Sequence, residues 1–239
     1  MTPDPRVSSM KVDGVLFDKD GTLFDFGATW NAWAADVIHH FADGEHEIMA
    51  RLAQAMDFDL GAGRFNPTSL VIAGTNREAA DCVAQALPEL AVEQIEQVLM
   101  IHASQAPLAP AVPLAPFLDG LSALGLKLGV MTNDSEFGAR SHLQSAGVAA
   151  HFDFIAGFDS GHGAKPAPGP LLAFAQAMGL APDRVVMVGD SPHDLMAGRA
   201  AGMQTVGVLT GMAGHDELAA LADIVLPDIG HLPGWLGLA

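Results

Sequence analysis

Two carboxylates one residue apart open the chemistry of this chain. Asp18 and Asp20 lie in the stretch Gly14-Val-Leu-Phe-Asp18-Lys19-Asp20-Gly21-Thr22-Leu-Phe24. The apolar run Val15 to Phe17 predicts a short buried strand. Residues i and i+2 of a strand share a face, so the two aspartates project together from its carboxyl end. Gly21 then lets the chain turn, and Thr22 adds a hydroxyl and an N–H. Like charges held together away from water repel each other unless a cation lies between them. A divalent cation, or the metal complex of a phosphoryl group, meets that need.

Three more polar clusters follow in order. Thr132-Asn133-Asp134-Ser135 comes after an apolar run predicted as a strand over Leu126 to Met131. Lys165-Pro166-Ala167-Pro168 follows Gly161-His162-Gly163. Gly189-Asp190-Ser191-Pro192-His193-Asp194 follows a strand predicted over Arg184 to Val188. Taken singly, each cluster has an ordinary reading as a helix cap, an acid at a helix N-terminus or a solvated lysine. Taken together, they sit at successive strand ends, where parallel sheets bind their ligands.

The elements that must position them fall into two textures. From Asp25 onward, Trp30, Trp33, Ala34, Val37, Ile38 and Phe41 recur at helical spacing. Helices continue through Ile48, Leu52 and Met56, through a segment with Asn76 as its expected N-cap, and through Val92, Ile95, Leu99 and His102. Pro67 is expected to open a further short helix. Residues 25–110 therefore read as all-helical and end in a proline-rich return linker, Pro107 to Pro116. Beyond it, strands and helices alternate. Helices are expected at Leu118–Leu124, Glu136–Ser145, Pro170–Met178 and His193–Ala201. Further strands are expected at Phe152–Ala156, Thr205–Val208 and Asp223–Leu226. Alternation of this kind implies right-handed crossovers and a parallel sheet, an α/β fold.

Composition narrows the function classes. Half of the 239 residues are apolar, enough for a sizeable core. The formal charge of −17 argues against nucleic acid as a partner, because phosphate backbones demand basic surface. The single cysteine, Cys82, excludes an intrachain disulfide, and no uninterrupted apolar run is long enough for a bilayer. Met1 to Lys11 lacks the apolar centre of a signal peptide. A cytoplasmic location and no membrane partner are the resulting expectations; oligomeric state is left open.

The four clusters, as a set, resemble the motifs of the haloacid dehalogenase superfamily of phosphatases. Asp18-Lys-Asp20-Gly21-Thr22 resembles the first motif, Thr132 with Asn133 the second, Lys165 before Pro166 the third, and Gly189-Asp190-Ser-Pro-His-Asp194 the fourth. A helical insert directly after the first motif is similar to the cap of the phosphoglycolate-phosphatase-like branch. The resemblance implies a three-layer, Rossmann-like α/β core, residues 1–24 and 111–239, with an all-helical cap inserted at 25–110. It implies an Mg²⁺-dependent phosphomonoester hydrolase acting on a small phosphorylated metabolite through an aspartyl-phosphate. In that chemistry Asp18 is the nucleophile and Asp20 the acid and then the base. Asp18, the Asp20 backbone carbonyl and Asp190 are the expected Mg²⁺ ligands, supported by Asp194. Thr132, Lys165 and the backbone N–H groups of Gly21 and Asn133 are the expected phosphate contacts. The dehalogenase and phosphonate-cleaving branches lack an acid at the position of Asp20. A phosphomutase keeps it and is the alternative, with a non-catalytic phosphate-binding protein behind it.

Four side chains near these motifs stand apart. Lys19 should point away from the two aspartates, snorkelling to the surface or pairing with a nearby acid. His162 and His193 flank the site without an assigned role. Arg51, Arg64 and Arg77 are the only Lys or Arg residues between 25 and 110. Arg64, in the glycine-flanked loop Gly61-Ala-Gly63-Arg64-Phe65-Asn66-Pro67, is expected to face the site and to contact the substrate's distal group.

Overall fold

A computed structural model of the chain describes residues 12–72 and 74–237. Strand β1 (Gly14–Phe17) is followed by α1 (Phe26–Ala42) and α2 (His46–Met56). A two-stranded ribbon of β2 (Phe58–Asp59) and β3 (Arg64–Phe65) comes next, then α3 (Asn76–Ala86) and α4 (Val92–Ser104). The rest alternates: α5 (Leu114–Ala123), β4 (Lys127–Met131), α6 (Glu136–Ser145), β5 (Phe154–Ala156), α7 (Gly169–Met178), β6 (Val185–Gly189) and α8 (Pro192–Ala201). It closes with β7 (Gln204–Val208), α9 (His215–Ala219), β8 (Ile224–Leu226) and α10 (Leu232–Trp235). Among the described residues no helix is long and apolar enough to cross a membrane.

Six strands form one parallel sheet in the order β5-β4-β1-β6-β7-β8. The chain leaves β1, builds outward on one side through β4 and β5, then returns to build on the other side from β6. A crevice opens at the carboxyl ends where that reversal occurs, on either side of β1. Both faces are covered, so the strands are nearly continuous apolar runs. Val15, Phe17, Leu128, Val130, Val186 and Val188 face one buried cluster, while Leu16, Met131, Val185 and Met187 face the other. That alternation is the period of two expected of a strand. Gly129 is required on its face, because a Cβ there would collide with the Phe174 ring and with Leu16.

The segment between β1 and α5 has its own apolar cluster. Trp33, Val37 and Ile38 of α1 pack with Leu52 and Met56 of α2, Val83 of α3, and Ile95 and Leu99 of α4. Its two connections to the sheet are tied to each other. The Asp25 N–H donates to the Ala109 carbonyl (2.8 Å) and the Ala111 N–H to the Leu23 carbonyl (2.9 Å).

The segment departs from the sequence expectation in three places, and the linker after it in one. It is not wholly helical, because Asp59 accepts the Gly61 and Ala62 N–H groups (2.8 and 3.0 Å) and folds the following loop back as the ribbon. Thr75, not Asn76, caps α3. Its hydroxyl accepts the Glu78 N–H (3.2 Å) while the Glu78 carboxylate accepts the Thr75 N–H (2.7 Å), a reciprocal box. The Asn76 amide instead reaches the Glu96 carbonyl (3.0 Å). Pro67 opens a run of turns rather than a helix, and Pro116 lies inside the first turn of α5, where its missing N–H costs nothing.

Candidate active site

The site grows from the end of β1. Clamped between β4 and β6, that strand delivers Asp18, whose N–H donates to the Val188 carbonyl (2.8 Å). The chain then turns tightly, with Leu23 N–H bonded to the Lys19 carbonyl (2.9 Å) and Gly21 N–H to the Phe24 carbonyl (2.7 Å). Gly21 adopts φ +80, a left-handed conformation that favours glycine. Its N–H is engaged in the turn, so the expected phosphate contact from Gly21 gains no support here.

Lys165 is the cation among the acids. Its Nζ lies 2.6 Å from Asp18 Oδ1 and 2.6 Å from Asp194 Oδ1, with all three residues buried. Burial works against the lysine's charge, but Asp18 and Asp194 outweigh it and raise its pKa above the ordinary value. The lysine is held from behind: Asn133 Oδ1 accepts the Lys165 N–H and Asn133 Nδ2 donates to the Lys165 carbonyl, both at 2.9 Å. The second oxygen of Asp194 accepts the Ser191 N–H and hydroxyl at the start of α8. Asp194 thus orients Lys165 and caps a helix at once. The Thr132 hydroxyl accepts the Asp134 N–H (3.1 Å), which leaves its own hydrogen to donate into the cleft it lines.

One lysine does not neutralise this group. A carboxylate oxygen from each of Asp18, Asp190 and Asp194 lies within 4.8 Å of the others. Burial pushes the Asp18 pKa up to about 7 against the pull of Lys165. Burial, with Asp18 and Asp194 close by, also drives Asp190 well above the usual carboxylate range. Asp190 is cradled by Thr22, whose hydroxyl donates at 3.2 Å, and by two glycines. A Cβ on Gly21 or on Gly211 would overlap its carboxylate. A concave, oxygen-only site with surplus buried negative charge fits a hard divalent cation such as Mg²⁺.

Lys19 is buried completely, against the expectation of a snorkelling side chain. Its Nζ contacts Asp20 (2.7–2.8 Å) rather than pointing away from it, and also Asp134 (3.2 Å) and His142 Nδ1 (2.9 Å). Burial opposes its charge, yet Asp20 and Asp134 hold its pKa above the ordinary lysine value. Burial and Lys19 together hold His142 below the ordinary imidazole value, and its Nε2 hydrogen-bonds the Ala103 carbonyl at 2.6 Å. Pairing with a nearby acid, the other alternative for Lys19, is what the structure shows; the partnership of Lys19 with Asp134 and His142 is what sequence reasoning missed.

A cleft enclosing about 650 Å³, part of it open to solvent, lies between this cluster and the helical segment. Asp18, Asp20, Thr132, Asn133, Asp134, Lys165 and Asp190 line its floor, and His193 of α8 joins them. His162 is exposed and outside it. Arg64 is likewise exposed on β3 and absent from the lining, so its position gives no support to the expected substrate contact.

The fold and this floor define an α/β protein with clustered carboxylates at the carboxyl edge of a parallel sheet. The chain belongs to the haloacid dehalogenase-like hydrolase family, which matches residues 12–202. Over 115 residues it is 42% identical to a phosphoglycolate phosphatase of Neisseria meningitidis, 47% of this chain and 48% of that protein. The chain thus spans about half the length of the phosphoglycolate phosphatases it matches. Over 232 residues it is 26% identical to the pyrophosphatase PpaX of Bacillus velezensis, covering 95% of this chain and 99% of that one. Among solved structures it shares its fold with CbbY from Rhodobacter sphaeroides in complex with phosphate. The TM-score is 0.71 at 21% identity, over 95% of this chain and 100% of that one.

Proposed function

We propose that this protein is an Mg²⁺-dependent phosphomonoester hydrolase that works through an aspartyl-phosphate on Asp18. The observation that carries the reading is Lys165 bridging Asp18 and Asp194 beside Asp190, a nucleophile, a cation and a metal-ready acid in one buried group. Asp18, the Asp20 backbone carbonyl and Asp190 would hold the Mg²⁺, which supplies charge neutralisation for phosphoryl oxygens. The Asp18 carboxylate attacks phosphorus, and the bond to the leaving oxygen breaks as Asp20 gives that oxygen its proton. Asp20, now a base, takes a proton from the water that attacks the phosphoryl-enzyme and releases inorganic phosphate and free Asp18. The Thr132 hydroxyl and the Lys165 ammonium hold phosphoryl oxygens, while Asn133 fixes the backbone of Lys165.

In this reading the described parts of 1–24 and 111–239 form the catalytic core domain and those of 25–110 a cap that faces the leaving group; residues 1–11, 73 and 238–239 of those expected ranges lie outside the described residues. The names of the relatives support a small phosphorylated metabolite as substrate. The test is release of phosphate from p-nitrophenyl phosphate with Mg²⁺, after exhaustive chelation, and in Asp18→Asn. Turnover that survives either chelation or the substitution contradicts the mechanism.

A further inference from the structure

We infer that the leaving group this cleft accepts is uncharged and apolar, not a carboxylate or a second phosphate; the inference rests on the phosphomonoesterase reading above. Phosphate and leaving group meet different walls. Opposite the carboxylate floor, the helical segment presents Phe26, Trp30, Trp33, Val71, Ile72 and Ala79. These are surfaces that gain from covering an apolar group; their one polar atom without a partner, the buried Trp30 Nε1–H, is a single neutral donor and not the cation or set of donors that an anion needs.

A second anion needs a cation or a set of N–H donors. Every lysine and arginine among the described residues is accounted for elsewhere. Arg77 is surrounded by Asp81, Glu93 and Glu96. Arg51 and Arg64 are exposed and outside the lining. Lys127, Arg140, Arg184 and Arg199 pair with Asp153, Glu136, Asp13 and Asp223. Lys19 is buried beneath the floor between Asp20 and Asp134. Lys165 alone remains on the wall, already shared by Asp18 and Asp194.

The start of α3 borders the cleft at Gly74, Thr75 and Asn76, but the Glu78 carboxylate already occupies that helix end. His193, the one imidazole on the described wall, comes from the core helix α8 on the acid-rich side. The floor holds no uncommitted cation for a second negative charge, since Lys165 is shared by Asp18 and Asp194 and Lys19 by Asp20 and Asp134.

The test separates binding from turnover. Wild-type protein with Mg²⁺ is titrated with 2-phenylethylphosphonate and with 3-phosphonopropionate, two non-hydrolysable ligands with the same head group. Quenching of Trp30 and Trp33 fluorescence reports binding. The phenyl ligand should bind at least about tenfold more tightly, the selectivity an apolar pocket gives. The kcat/KM for benzyl phosphate should exceed that for phosphoglycolate in the same direction. Ile72→Arg, and separately Val71→Arg, should narrow or reverse the preference by adding the missing cation. Equal or tighter binding of the carboxylate ligand overturns the inference, and so does an unmoved preference in both folded variants. Binding with the expected preference but without turnover of any ester removes the hydrolase reading and leaves the apolar site standing. Absence of binding by either ligand overturns both.

Discussion

The Lys19 ammonium lies 5.3 Å from the centroid of the Trp30 ring, so one buried cation lies against both Asp20, the proposed acid and base, and a ring that lines the cleft. Removing that charge strands Asp20 and Asp134 in a dry site. Lys19→Met should therefore destabilise the protein by about 3–5 kcal/mol, the cost of breaking a buried ion pair from one side. Denaturant unfolding of the single variant, of Asp134→Asn and of the double variant measures this. A double variant no more stable than Lys19→Met would show that Asp134 is not the stranded partner.

Asp18→Asn should lower kcat by roughly 10³-fold or more, as loss of a nucleophile does, and leave the fold intact by circular dichroism. Its effect on metal-free stability has a definite sign. The folded protein holds a proton on Asp18 up to pH about 7, whereas the unfolded chain releases it near the ordinary carboxyl value of 3.8. Between those values the native state binds more protons, so metal-free stability should fall as pH rises through that window. In EDTA, wild-type thermal midpoints should decline over that range more steeply than those of Asp18→Asn. Parallel profiles would contradict the buried, proton-holding carboxylate.

Asp190→Ala should raise the Mg²⁺ concentration needed for half-maximal activity by tenfold or more, the loss expected for a ligand or its immediate support. Calcium should substitute poorly, since it prefers more ligands at longer distances. Activity titrated against each metal settles both points.

Gly211→Ala places a methyl group where the Asp190 carboxylate stands. The acid must shift, and a displacement of about 1 Å in such a site costs roughly 10²-fold in rate. Gly214→Ala, where a Cβ meets nothing within 4 Å, is the control and should retain wild-type kinetics.

Much of this could be read before the structure, wherever the signal was local. Helix α6 runs from Glu136 to Ser145 as expected, because its cap, Ser135, accepting the Gly138 N–H, and its stop, Gly147, adjoin it. Asp18, Thr132, Lys165 and Asp190 converge because strand ends of a parallel sheet must. What escaped depends on partners distant in the chain. Strand alternation says nothing about Lys19 once β1 has ended at Phe17, and His142 is 123 residues away. Gly211 carries no motif, and its closeness to Asp190 comes from the loop after β7. Trp30 and Trp33 repeat at the spacing of core residues, so periodicity cannot separate a cleft wall from a packed interior. The loop's glycines suggest that Arg64 approaches the site, whereas Asp59 ties that loop into a ribbon that leaves Arg64 exposed and off the cleft lining, so the expected contact gains no support.

The hydrogen bonds joining Asp25 to Ala109 and Ala111 to Leu23 have an evolutionary consequence. A segment whose ends are stitched together adds little loop-closure cost to the sheet however long it becomes, since that cost grows only with the logarithm of length. Its helices can be lengthened, rewritten or exchanged while the strand that carries Asp18 keeps its neighbours. Selectivity for what the cleft binds can then drift quickly on one side of the stitch, while the carboxylate cluster hardly changes on the other.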